Sequence, residues 1–180
     1  NRSMEQSMER LSTGSRINHA RDDSAGLAIA SRLTSEARGL DQAMRNSADA
    51  QGMIDTIQSL HSEVNEMLHR IRDLAVQAAN DTNSTADRSN ISTEMTALAA
   101  EIDAIASNTK WAGQSLVTAG STFVYQIGDE GSEVMTVVTS AIAASSLNVT
   151  GTTALSTAGG FTSLIDKVDS AIADIASYRA

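Results

Sequence analysis

Apolar and small residues step by three and four from Ser24 onward: Ile29, Leu33, Ala37, Leu40, Met44, Ser47, Ile54, Ile57, His61, Val64, Leu68, Ile71, Ala75 and Ala78, with one wider gap across Gln51. Sustained for roughly eight heptads, the pattern predicts a single helix over residues 24–79, about 80 Å long at 1.5 Å per residue. Asp22 or Asp23 is placed to cap its start and to set negative charge at the positive helix end. Gly39 and Gly52 lie inside it, each costing roughly 1 kcal/mol against alanine. The turn formers NDTNST, Asn80 to Thr85, stop the seam. Ser84 and Asp87 have capping-box spacing ahead of Ile91, Met95, Leu98, Ile102 and Ile105, which predicts a second helix over 86–108. Because the link is short, this helix returns antiparallel along the last third of the first.

Farther on, Phe123, Tyr125 and Ile127 alternate with polar or smaller residues, GDEG interrupts, and Val134 to Val138 resumes the alternation, so a β-hairpin is expected over 122–138. Residues 139–160, rich in Ala, Ser, Thr and Gly, read as a loosely structured connection. Phe161, Leu164, Ile165, Val168, Ala171, Ile172, Ile175 and Tyr178 form a last heptad seam over 161–180. At the other end, Met4, Met8 and Leu11 mark a short helix within residues 1–23, followed by the polar bend STGSRINHARDD. The last seam needs a partner, and the long partners are the two earlier helices. The expected fold is therefore mainly α: one elongated antiparallel helical bundle over residues 1–180, rod-like, with a small β-hairpin at one end.

Composition narrows what such a rod does. Aromatics make up 3% of the 180 residues while 41% are apolar, which suits thin contacts between slender elements. The formal charge of −9, from 22 acidic and 13 basic residues that do not cluster, disfavours a surface that tracks nucleic-acid phosphates. No apolar run approaches the roughly 18 to 20 residues of a membrane span, and the start lacks the charged-then-apolar pattern of a cleaved signal peptide. The chain lacks cysteine, which removes disulfides, thiolate metal sites and cysteine nucleophiles; it also lacks proline, which suits export in an unfolded state.

Candidate chemistry is sparse. Glu66 and His69 form one Glu-x-x-His pair, the unit of di-iron bundle sites, but such a site takes two pairs and further glutamates. His61 falls in the seam, where a hydrogen-bonded core histidine is the expected role rather than a metal ligand. His19 stands alone. GDEGSE reads as a hairpin turn, and Asp22 and Asp23 read as helix caps rather than an acid/base pair. No catalytic, metal or cofactor site is assigned.

The stretch LHRIRDLAVQAAND, Leu68 to Asp81, is more telling. By helical spacing Leu68, Ile71, Ala75 and Ala78 face a core, whereas Arg70, Asp73, Leu74 and Gln77 face away. A leucine is thereby left outside beside an arginine. Arg70 and Leu74, four apart, stack on one face. Folding back about a turn between Thr82 and Asn83 sets Leu74 level with Ile91, Arg70 level with Met95, and Glu94 at nearly the same height. An arginine, a leucine and a glutamate shared by two helices have the composition of a contact surface. A solvated face with a stray leucine fits the same pattern and is the simpler reading.

Beyond periodicity, ERLSTGSRINHARDDSAGLAIASRL, residues 9–33, resembles the beginning of the bacterial flagellin core. LHRIRDLAVQAANDTNSTADRSNISTEMTALAAEID, residues 68–103, is similar to the family's most characteristic stretch. TFVYQIGDEGSEVMTV looks like its hairpin, and LIDKVDSAIADIASYRA like the start of its carboxy-terminal helix. The resemblance implies the rod-like core domain of a flagellin without the two terminal segments that pair as coiled coil in the filament, and without the outer variable domains. It implies a secreted structural subunit of the extracellular flagellum, used for motility and packing against other flagellin subunits. A flagellar export chaperone is an implied partner of the intact protein; a nucleic acid, a membrane, a cofactor or an enzymatic reaction is not. It also implies innate immune recognition by the vertebrate Toll-like receptor for flagellin. Carried over one by one, the receptor-binding arginine falls on Arg70, the leucine on Leu74 and the glutamate on Glu94, while His69 departs from the glutamine common before that arginine. Two alternatives remain at this point: a helical signalling or adaptor rod, and a metal-binding helical-bundle enzyme built on Glu66 and His69.

Overall fold

A computed structural model of the chain describes residues 2–150, 155 and 157–179. Positions 1, 151–154, 156 and 180, where parts of the expected amino-terminal segment, irregular connection and carboxy-terminal helix fall, lie outside the described residues. Among these residues the fold is mainly helical, with two two-stranded sheets.

The long seam forms α2, Ser24–Ala79, a helix of 56 residues. Asp23 caps it, its Oδ1 accepting from the Gly26 amide at 2.8 Å, while Asp22 accepts from the His19 amide at 3.2 Å and holds the preceding bend. At the far end the carbonyls left without helical partners are gathered by side chains. Arg88 donates to Ala78 O at 3.0 Å and Asn80 O at 3.1 Å, and Asn83 Nδ2 donates to Gln77 O at 2.6 Å. Arg88 belongs to α3, Thr85–Asn108, so one arginine joins the end of one helix to the start of the next. The expected capping box is present at α3: Ser84 Oγ accepts from the Asp87 amide, and Asp87 Oδ2 accepts from the Ser84 amide at 3.1 Å.

The chain divides into two units. The first comprises the residues through Ala48 together with Tyr125–Met135. It holds α1, Arg2–Thr13, the polar bend, the beginning of α2, and the tip of a hairpin formed by β3, Ser121–Gln126, and β4, Val134–Thr139. Gly39 is what lets this tip approach the helix: a Cβ there would stand 2.9 Å from Asp129 Cβ. Asn46 Nδ2 then donates to Gln126 O at 2.9 Å. In the bend, His19, isolated in sequence, meets Glu9 Oε1 at 2.8 Å.

Here the structure departs from the pattern. Ile29, Leu33, Leu40 and Met44, expected to face a core, are exposed by 53, 52, 46 and 65%. The hairpin tip sits on the flank of Gly39 and Asn46, roughly a third of a turn around the helix from that stripe at 3.6 residues per turn, and leaves the stripe open. Met4, Met8 and Leu11 are exposed as well.

The second unit, Asp49–Val124 with the residues from Thr136 onward, carries the main core. Met53, Val64, Leu68, Ile71, Ala75 and Ala78 of α2 are buried, as are Met95, Ile102 and Ala106 of α3 and Phe161, Leu164, Val168, Ala171 and Ile175 of α4, Ala158–Tyr178. A small ribbon unanticipated by the hydrophobic pattern follows α3: β1, Lys110–Trp111, pairs antiparallel with β2, Gln114–Ser115. Its turn residues Ala112 and Gly113 have φ of 48° and 83°, the left-handed pair that suits a tight hairpin. Trp111 reaches α2 at Gly52, where a Cβ would lie 3.1 Å from the indole edge. The glycine that weakens the helix therefore admits the tryptophan.

The connection after β4 is irregular but not loose. Ile142, Ala144, Leu147 and Val149 are buried, with the Ile142 amide bonded to Val117 O at 3.1 Å and the Ala144 amide to Asp103 Oδ1 at 2.8 Å. Small residues between them allow successive tight turns, so alternate side chains reach the core without a regular element. Thr139 ties the base of the hairpin, donating to Leu116 O at 2.6 Å and accepting from the Ser121 amide at 2.9 Å.

Ser84→Ala should lower stability by about 1 kcal/mol, the usual cost of losing such a cap, measured by urea unfolding at neutral pH. The Ser84 hydroxyl, and then its amide, hold the Asp87 carboxyl below its ordinary value of 3.8. The box is thus intact above that value and is lost as pH falls through the lower folded pKa; in Ser84→Ala the larger part of this acid-dependent component, owed to the hydroxyl, should be lost while the amide part remains.

Candidate functional site

Two arginines leave α2 on opposite flanks. Arg72 pairs in a fork with Asp169 of α4, Nε to Oδ1 at 2.6 Å and Nη2 to Oδ2 at 3.4 Å. Asp169, by hydrogen bond and then by charge, raises the Arg72 pKa above its ordinary value. Arg70 turns the other way and donates to Glu94 Oε1 of α3 from Nε at 3.0 Å and from Nη2 at 2.6 Å. Both members of this second pair remain about half exposed, at 55% and 48%. Arg70 and Glu94 therefore meet across two helices, as the fold-back register requires.

Leu74 does not join them outside. It is 3% exposed, so the expectation of an outward leucine is corrected. The reason lies in the flank it occupies. Arg70, one turn earlier on the same side, already reaches α3, so α3 covers this side of α2. At 3.6 residues per turn Leu74 sits only about 60° from Ile71, inside an apolar arc wider than a two-position seam. The surface is thus a charged pair above a buried leucine.

Elsewhere the chemistry is slight. Glu66 and His69 are both exposed, and among the described residues no group of three or more His, Cys, Asp or Glu side chains gathers to hold a metal ion. An open groove of about 650 Å³ between α2 and α3 is lined by Asp55, Glu63 and Glu101 beside Leu60 and Ile105, a negative lining that repels anionic ligands. His61 is buried as its seam position predicted, but its Nε2 has no hydrogen-bond partner among the described residues, contrary to the expected bonded core histidine. Pattern reading missed the Arg72 to Asp169 pair and the Arg88 clamp, since arginines in a heptad table read as solvated positions.

Antiparallel helices joined along their flanks, with their polar groups spent on capping and cross-helix pairs, define a structural helical module. Residues 1–122 match the family model of the bacterial flagellin N-terminal helical region, and the chain belongs to the bacterial flagellin family. It is 41% identical over 154 residues to polar flagellin C of Vibrio parahaemolyticus, a match covering 85% of this chain and 40% of that protein. It is 46% identical over 131 residues to flagellin D of Vibrio anguillarum, covering 72% and 35%. The match thus spans about two fifths or less of the length of these relatives. The crystal structure of Bacillus cereus flagellin superposes with a TM-score of 0.65 at 33% identity, covering 75% of this chain and 78% of that one.

The surface yields a clear stability contrast. Leu74→Ala should cost roughly 2–5 kcal/mol, the range for truncating a buried leucine. Arg70→Ala or Glu94→Ala, breaking a half-exposed ion pair, should each cost less than about 1 kcal/mol. Urea unfolding of the three variants measures the difference.

Proposed function

We propose that this chain is a single core domain of a flagellar filament subunit, a structural component of the extracellular organelle of swimming that packs against other flagellin subunits. Family membership over residues 1–122 carries the reading. The open stripe of Ile29, Leu33, Leu40 and Met44 supports it, because an apolar seam at heptad spacing is covered when helices assemble. No reaction is assigned to the domain. The intact subunit reaches the cell exterior by export, with a flagellar chaperone as an expected partner.

A finer reading concerns the surface of α2 and α3. We infer that Arg70 and Glu94 are the contact groups for the vertebrate Toll-like receptor for flagellin, with Leu74 setting their height and spacing from beneath. The exposure of both charges and the burial of Leu74 favour this division of labour.

Assembly is tested by replacing the matched part of polar flagellin C with the 154 matched residues of this chain in a bacterium lacking its own flagellin. Filaments visible by electron microscopy, with swimming restored, are expected; a stably expressed chimera that is exported without forming filaments would refute the subunit role. For the surface, receptor-ectodomain binding should weaken by about 2 kcal/mol or more in the Arg70→Ala, Glu94→Ala double variant with helicity unchanged. Equal binding by variant and parent would remove these residues from the contact.

A further inference from the structure

The buried stripe of α2 contains one ionisable interruption. Ile57, Leu60, Val64 and Leu68 are apolar and buried, and His61 among them is 3% exposed. Its ring lies 6.3 Å from that of Tyr178 in the last turn of α4, inclined at 44°. A cavity of about 270 Å³ borders it, lined by Ile54 and Ile57 of α2, Val137 and Val138 of β4, and Tyr178 and Arg179 at the end of α4. We propose that His61 is an acid-sensitive latch: neutral, it packs the end of α4 against α2 and β4; protonated, it drives that end open.

The argument rests first on what the site offers a proton. A neutral imidazole has one donor and one acceptor nitrogen, and here Nε2 already lacks a partner among the described residues. Protonation turns both nitrogens into donors and adds a charge that must be paired or hydrated. Among the described residues, nothing lining the cavity pairs it. From α4 come Tyr178 and the cation Arg179; from β4 and the residue after it come Val137, Val138, Thr139 and Ser140; from α2 itself comes Gln58. None is a carboxylate, and Arg179 repels the new charge.

Burial, and after it Arg179, lower the His61 pKa from its ordinary 6.5. The unfolded or opened chain therefore takes up the proton first as pH falls. The latch holds fully above pH 6.5 and weakens from there down through the lower folded pKa. Carboxylates titrate near pH 4, so the interval from pH 7 to about pH 5 belongs to histidine. The yielding part is the α4 end, where Arg179 carries the repelling charge and Tyr178 is already 39% exposed. This inference does not depend on the receptor reading.

Amide hydrogen exchange of Ile175 to Tyr178, corrected for intrinsic rate, tests it between pH 7 and 5. In the parent chain the opening equilibrium should rise as pH falls below 6.5, by no more than about tenfold per pH unit for a single proton. In His61→Leu, which completes the apolar stripe, it should stay flat. An equal acid response in both proteins overturns the latch. Should His61→Leu fail to fold, NMR titration of the parent decides: the His61 midpoint should lie below the ordinary 6.5, with the Tyr178 ring signals moving at the same midpoint. A His61 midpoint at or above 6.5, or one at which Tyr178 does not move, overturns the proposal as well.

Discussion

A helix of 56 residues depends on having one face taken out of water, since propensity alone leaves long polar-rich helices marginal. Over the second half of α2 that condition is met from two sides. Arg70 reaches α3 on one flank and Arg72 reaches α4 on the other, and between them Leu68, Ile71, Leu74, Ala75 and Ala78 are buried. Other features of this unit follow from the double coverage. Alanines appear where two helices must approach closely, and the irregular segment after β4 brings Ile142 and Val149 into the core that the thin helices leave unfilled.

The fold class was legible because its signals are local. Steps of three and four, a capping box at Ser84 and Asp87, and strand alternation around GDEG each act within a few residues of themselves. Coverage is different, because it depends on which elements meet. The seam from Ile29 to Met44 has the same periodicity as the one from Val64 to Ala78, yet the first is open and the second closed. Periodicity reports that a face is apolar, not that something in the same chain covers it. The ribbon of β1 and β2 escaped for another reason: its turn is Ala-Gly, and alanine at a φ of 48° lacks the Asn or Asp signature that marks such turns.

Gly39 and Gly52 show how a local penalty can serve a distant contact. In the helix alone each is a weak point. In the fold each lies under a β element, Asp129 of the hairpin tip in one unit and Trp111 of the short ribbon in the other. The capacity to seat a side chain against bare backbone was invisible in the helical pattern, which recorded only the loss.

The candidate surface was half legible for the same physical reason. Matching heights across a short antiparallel link fixes which residues of α2 and α3 are level, and the 2.6 Å contact of Arg70 with Glu94 follows from it. Rotation about the helix axis is less well determined, since a partner on the flank widens the buried arc and draws in a residue assigned to solvent. Leu74 is that residue. Its burial separates two roles that an exposed leucine would have combined. The paired charges above it stay about half exposed, while the leucine below is buried between the two helices that carry them. A change at Leu74 then acts on the surface indirectly, through the packing of α2 against α3, whereas a change at either charge alters the exposed surface itself.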